Sequence, residues 1–249
     1  MVGPDFHHYL ITRFDVATDY GGRSHPGEAW LRRRIDLFDT FTLPSVRAQT
    51  TDEFTWLVFF APDPPPFLAR SIEEWDRWPT FVPCYVPAMN TGREAREAIT
   101  ANVGPGASHL ITTRLDNDDA FCRGYLESVQ SAFAGQDLVF VNCRSGVVLD
   151  TRRHVFSLVN RRANQFVSCI ERFGDELTTV MATDHSALPS VASVIELDTP
   201  ESWLHVEHGD NASNRPTGFE LGIHMLEPAA FNTQFAIEWN QDRKVPLHG

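Results

Sequence analysis

Residues 109–119 read His109-Leu110-Ile111-Thr112-Thr113-Arg114-Leu115-Asp116-Asn117-Asp118-Asp119. The apolar and β-branched residues Leu110, Ile111, Thr112 and Thr113 suit a short buried strand, and the run stops at three carboxylates, Asp116, Asp118 and Asp119. Carboxylates this close repel one another. To stay ionised they require a cation, a set of backbone N–H donors or open water. A divalent metal is one such cation. The alternative is a plain turn, in which Asp118 or Asp119 caps a helix beginning near Ala120.

Working outward, the same strand-then-helix pattern recurs upstream. His8 to Asp15 reads as a first strand, followed by a loop around Gly21, Gly22 and Pro26. Leu31, Ile35, Leu37, Phe38 and Phe41 recur at helical spacing, with Arg32, Arg33 and Arg34 assigned to the remaining face. That helix is expected to end before Pro44. Phe54 to Phe60 is apolar on both faces, as a parallel strand covered by helices should be. Ser71 to Trp78 reads as a short helix capped by Ser71, Phe81 to Val86 as a strand, and the segment opened by Thr91 or Gly92 and closed by Gly104 as a helix. Four such alternations imply an α/β fold, a doubly wound and mostly parallel sheet flanked by helices. Ligands in such sheets sit outside the carboxyl ends of the strands, where the acidic cluster lies.

Downstream, the pattern predicts a helix over 123–133, a strand over 138–142, and a strand over 146–150 that pairs with it. Residues 166–173 carry mixed signals, and 176–181 and 193–197 are strand candidates. From Trp203 to Gly218 the chain is polar, turn-rich and dense in potential ligands, His205 and His208 among them. No repeat or low-complexity linker divides the chain, so one domain over 1–249 is expected.

The net charge of −12 argues against a nucleic-acid or anionic-membrane partner, since both demand a basic surface. An acidic protein handling an anionic small molecule must concentrate positive charge locally, through a metal or a few arginines. Lys244 is the sole lysine among 21 basic residues. No window approaches the 18 or so apolar residues of a membrane span, and the start of the chain has no basic patch leading an apolar core. A cytoplasmic location follows as the expectation. Cys84, Cys122, Cys143 and Cys169 lie far apart and suggest neither a zinc site nor a disulfide framework.

A sheet of this winding brings Arg13-Phe14-Asp15, the Asn90 to Arg96 stretch and the acidic cluster to one rim. His208 would complete the coordination of a metal held by Asp118, and mixed carboxylate and imidazole ligation suits Mn²⁺ or Mg²⁺. The competing reading is a lone surface histidine.

These residues resemble a known family. Thr112-Thr113-Arg114-Leu115-Asp116-Asn117-Asp118-Asp119 is similar to the D-x-D signature of GT-A type glycosyltransferases, and residues 90–104 to the segment that precedes it. The opening over 7–15, the run over 42–60 and Trp203 to Asn214 together resemble the bacterial rhamnosyltransferase-like group. The resemblance implies a GT-A-like fold, a nucleotide-sugar donor, a divalent metal, and transfer of the sugar to the hydroxyl of a glycan or other acceptor. By position it implies Asp118 and His208 at the metal, Asp116 facing the ribose or sugar, and Asp119 supporting the loop or the sugar. Arg13 and Asp15 would lie near the nucleotide, with Arg114 also on the donor side, and Asn90 and Arg93 near the base or diphosphate. An inverting enzyme also needs a base for the acceptor's proton. Asp184 ranks first, with His185 beside it and Glu171 as a further candidate. Two other functions compete: a catalytically silent nucleotide-sugar or glycan binding module, and a sugar-phosphate nucleotidyltransferase. The second lacks its Gly-rich phosphate loop after the first strand.

Overall fold

The computed structural model describes residues 5–18, 27–89, 92–104, 106–162, 164–182, 185–208, 219–222 and 228–238. Strands β1 (Phe6–Arg13), β2 (Thr55–Phe60), β3 (Phe81–Tyr85) and β4 (His109–Arg114) alternate with helices α1 (Glu28–Leu37), α2 (Leu43–Arg47), α3 (Pro66–Trp75) and α4 (Arg93–Asn102). Then follow β5 (Ala120–Phe121), α5 (Tyr125–Ser131), β6 (Leu138–Cys143), β7 (Ser145–Asp150), β8 (Val155–Asn160), β9 (Val167–Arg172), β10 (Val194–Leu197), β11 (Trp203–Glu207), β12 (Phe219–Gly222) and α6 (Pro228–Phe235). Seven strands form the central sheet in the order β10-β6-β9-β4-β1-β2-β3. Only β9 runs antiparallel to its neighbours β4 and β6. The mostly parallel α/β sheet expected from the sequence is therefore present.

Period-2 alternation places successive side chains on opposite faces. Leu10, Trp56, Val58, Phe60 and Ile111 pack with Leu31 of α1, Leu68 and Ile72 of α3, and Leu126 and Val129 of α5. Tyr9, Ile11, Leu57, Phe59 and Leu110 form the other face, covered by Ala95 and Ile99 of α4. Helices on both sides explain why β2 is apolar throughout.

Several boundaries differ from the sequence reading. The first helix does not stop before Pro44. It passes through a π-helical segment, Phe38–Thr42, closed by a bond from Leu43 N–H to the Phe38 carbonyl, directly into α2, and Pro44 is carried where that irregular segment ends. Helix α3 starts at Pro66, where a first turn needs no N–H, so Ser71 is interior and donates to the Phe67 carbonyl. Residues 120–121 are a strand, and the next helix begins only at Tyr125. Residues 176–181 are not a strand. Their amides are taken by side chains instead: Thr178 and Thr179 N–H donate to the Glu171 carboxylate, and Val180 N–H to Thr112 Oγ1.

Strand β7 does not pair with β6. Only Arg144 separates them, too short for a hairpin, whose shortest common loop is two residues. The chain instead changes sheets there. A second sheet of five strands, β12-β8-β7-β11-β5, packs Val147, Leu149, Phe156, Leu204 and Val206 against Phe231 and Phe235 of α6 and against Leu37 and Phe41. No helix among the described residues is long and apolar enough to cross a membrane.

Candidate active site

Strand β1 lies between β2 and β4, and chain order reverses there, so the loops after β1 and β4 flank a topological switch point. The acidic residues occupy the second of these loops. Leu115 N–H donates to the Ile11 carbonyl at 3.1 Å and Asn117 Nδ2 to the Phe14 carbonyl, clamping one loop to the other. The turn continues directly into β5 of the second sheet. The three carboxylates therefore stand at the seam between the sheets, where β11 of the second sheet brings His205 to them and the residue just past its end, His208, joins it.

Each carboxylate has its own cation. Asp116 accepts from the Arg114 guanidinium at 3.1 and 3.2 Å. Burial opposes ionisation of Asp116, but Arg114 and then Arg13 outweigh it and hold the carboxyl below the usual range. Asp118 Oδ2 accepts from Arg34 Nη1 and lies 2.8 Å from His208 Nε2. Burial again works against the charge, but the Arg34 guanidinium, backed by His208, holds Asp118 well below the carboxylate range. Asp119 accepts from Val206 N–H at 2.9 Å and lies 3.1 Å from His205 Nδ1. Burial pushes Asp119 up. As acceptor for the Val206 N–H and the imidazole it nonetheless serves as a carboxylate. Burial would depress His205, and the Asp119 charge overrides it, lifting the imidazole to about 9.

The cation on Asp118 was not anticipated. Arg34 is one of three consecutive arginines expected on the polar face of α1. It is buried instead, beside Leu31 and Leu37. The signal was in the spacing: Arg34 is three residues after Leu31 and four before Phe38, which is the apolar stripe, and a buried charge there demands a partner. Its guanidinium lies 4.8 Å from the Trp30 ring centroid and also donates to Asn117 Oδ1 at 3.0 Å. The rest of that helical run holds the acidic turn too. Thr42 Oγ1 donates to the Asp119 carbonyl, Ser45 Oγ accepts from Phe121 N–H, and Gln49, just past the helix end at Arg47, bridges to Cys122 and Leu126.

Other expected residues are placed as follows. Asp15 Oδ1 accepts from Ala61 N–H at 2.9 Å, in the loop after β1. Arg93 opens α4 with an exposed side chain and ion pairs to Glu94 and Glu97. Its loop is tied to the loop after β1 by Met89 N–H donating to the Ala17 carbonyl. Gly92 there has φ +71°, and a Cβ would meet the Met181 carbonyl oxygen at 2.9 Å, so only glycine fits. Asn90 and Asp184 lie outside the described residues. His185 begins a 3₁₀ turn over His185–Ser190, its side chain outside the description. Glu171 is not at this rim. It pairs in register with Leu110 near the start of β4, whereas the acids follow its end, and its carboxylate is used up on two backbone amides.

The donor set fits a divalent ion that shares its coordination with a substrate. Asp118 and His208 present an oxygen and a nitrogen side by side, both side chains at least nine-tenths buried. Among the described residues no three His, Cys, Asp or Glu side chains converge as a metal cage. Two protein ligands suffice where phosphate oxygens and water complete the shell, as is usual for Mg²⁺.

A family model described as "Putative rhamnosyl transferase" matches residues 26–219. Among solved structures, TarS of S. aureus is 12% identical with a TM-score of 0.44, the match covering 81% of this chain and 37% of TarS. A structure of S. aureus TarS 1-349 is 11% identical, TM-score 0.44, covering 80% of this chain and 60% of that one. The 4-diphosphocytidyl-2C-methyl-D-erythritolsynthase of Anaerococcus prevotii is 12% identical, TM-score 0.40, covering 77% and 87%. No curated protein matches the chain.

Proposed function

The chain belongs to the putative rhamnosyl transferase family, and from that membership we propose that it is a glycosyltransferase of GT-A type. It moves a sugar, rhamnose by the family's description, from a nucleotide-diphosphate donor to the hydroxyl of a glycan acceptor. The observation that carries this reading is the delivery of His208 onto Asp118 across the seam, at the switch point where an α/β sheet binds nucleotides. Asp118 and His208 hold Mn²⁺ or Mg²⁺, which supplies a Lewis acid for the diphosphate leaving group. Arg13 and Arg114 add positive charge beside Asp116, which faces the ribose or sugar, and Asp119 fixes the loop by holding Val206 and His205. Asp15 and Arg93 border the nucleotide from the neighbouring loops, and Asn90 is assigned with Arg93 to the base or diphosphate. Asp184 takes the acceptor's proton, with His185 the alternative base.

Thermal unfolding of wild type and Asp118→Ala against a panel of nucleotide sugars, with Mn²⁺ and with chelator, tests the reading. A donor at a hundred times its Kd stabilises by about 2.7 kcal/mol, and each kcal/mol moves the midpoint of a chain this size by about 2–4 °C. The expected result is a shift with one nucleotide class that needs Mn²⁺ and is lost in the variant. An equal shift in chelator would remove the metal, and no shift with any nucleotide sugar would remove the donor site.

A further inference from the structure

The cation that the acidic cluster demands is already supplied by the chain. Asp116 has Arg114, Asp119 has His205 and Asp118 has Arg34, so the three acids are compensated with no added ion. Arg34 also occupies the place that matters most. It donates to Asp118 Oδ2, the same oxygen that faces His208 Nε2. An ion seated on that oxygen, between Asp118 and His208, competes with it.

Displacement alone is costly, because Arg34 and Asp118 are each about nine-tenths buried, and a buried guanidinium stripped of its carboxylate is strongly destabilising. It becomes favourable when a second anion arrives. A diphosphate matches the planar fork of a guanidinium, and it balances the extra positive charge that an ion would bring. Trp30 and Asn117 keep the guanidinium at the site once Asp118 is released. We propose that Arg34 is a displaceable counter-cation, closing the Asp118–His208 pair to divalent ions until a diphosphate accepts its guanidinium. Ion and nucleotide then bind interdependently. This rests on the donor-site reading of that pair given above.

The test follows free Mn²⁺ by its electron paramagnetic resonance signal, using the full chain as wild type, Arg34→Met and Arg34→Lys, alone and with UDP, GDP, CDP, ADP or dTDP. Wild type is expected to bind Mn²⁺ weakly alone and at least tenfold more tightly with one of the diphosphates. That diphosphate should gain by the same factor from Mn²⁺, because coupling is reciprocal. Arg34→Met should bind Mn²⁺ without nucleotide at least tenfold more tightly than wild type. Equal affinity of wild type and Arg34→Met for Mn²⁺ alone would overturn the role of Arg34 and leave the metal site standing. No Mn²⁺ bound by either protein, with or without any diphosphate, would overturn both. Should Arg34→Met fail to fold, Arg34→Lys keeps the charge without the fork and is expected to fall between the two. Wild type decides independently, since absence of Mn²⁺–nucleotide coupling in it overturns the proposal.

Discussion

Two histidines set opposite pH limits on stability. His8 is 3% exposed; its Nδ1 accepts from Gln130 Nε2 at 3.2 Å, which leaves the proton on Nε2 to face Thr113 Oγ1 at 2.8 Å. Burial lowers its pKa to about 3, so between pH 6.5 and 3 the unfolded chain binds the proton that the folded chain refuses. Stability is therefore lost as pH falls, by about 2 kcal/mol between pH 7 and pH 5 through His8 alone. His205 works the other way. Lifted to about 9 by Asp119, it stabilises fully below pH 6.5, and that contribution fades as pH rises to 9, a loss of about 2–3 kcal/mol. Urea midpoints at pH 5, 6.5 and 9 should peak at the middle value, with His8→Gln flattening the acid limb and His205→Gln the alkaline one. Equal wild-type midpoints at pH 5 and 6.5 would contradict a buried neutral His8.

At the scale of elements, β7 and β11 pair Gly146 with Trp203, whose ring lies over the glycine, stacks on Phe166 at 4.6 Å and donates through Nε1 to the Cys143 carbonyl. A Cβ on Gly146 would fall 2.1 Å from Trp203 Cδ2. Gly146→Ala is expected to lose about 1–3 kcal/mol or more in urea unfolding, because a fully buried indole has nowhere to go. An unchanged midpoint would mean that β11 shifts freely. The central strands and their helices were legible from sequence alone: apolar and β-branched runs gave β2 and β4, helical spacing gave α1, and the glycines at its two ends gave α4. The second sheet was not, because its strands are short, far apart in sequence, and entered through the single residue Arg144. Of the site, the acids and both histidines could be read from their residue types. Arg34 could not be read without weighing its i−3 and i+4 neighbours, Leu31 and Phe38, and its pairing to Asp118 spans 84 residues.

For the whole molecule, the site lies where the acidic turn and the helical run 28–47 tie the two sheets together. A ligand there should act on both sheets together. Hydrogen exchange with Mn²⁺ and the cognate nucleoside diphosphate is expected to slow jointly in residues 28–37, 115–121 and 203–208, and slowing confined to one of them would mean that the sheets respond separately. The π segment at Phe38–Thr42 bears on the same tie. Each residue of an α-helix advances about 100° around its axis. Deleting one residue from 38–42 would leave a regular helix with good bonds and a normal length, yet would rotate Arg34 by about a quarter turn relative to Ser45 and Gln49. One end of the helix would then face the acidic turn while the other missed it. The surplus residue thus sets the angular phase between the half of the helix that charges the site and the stretch that anchors it.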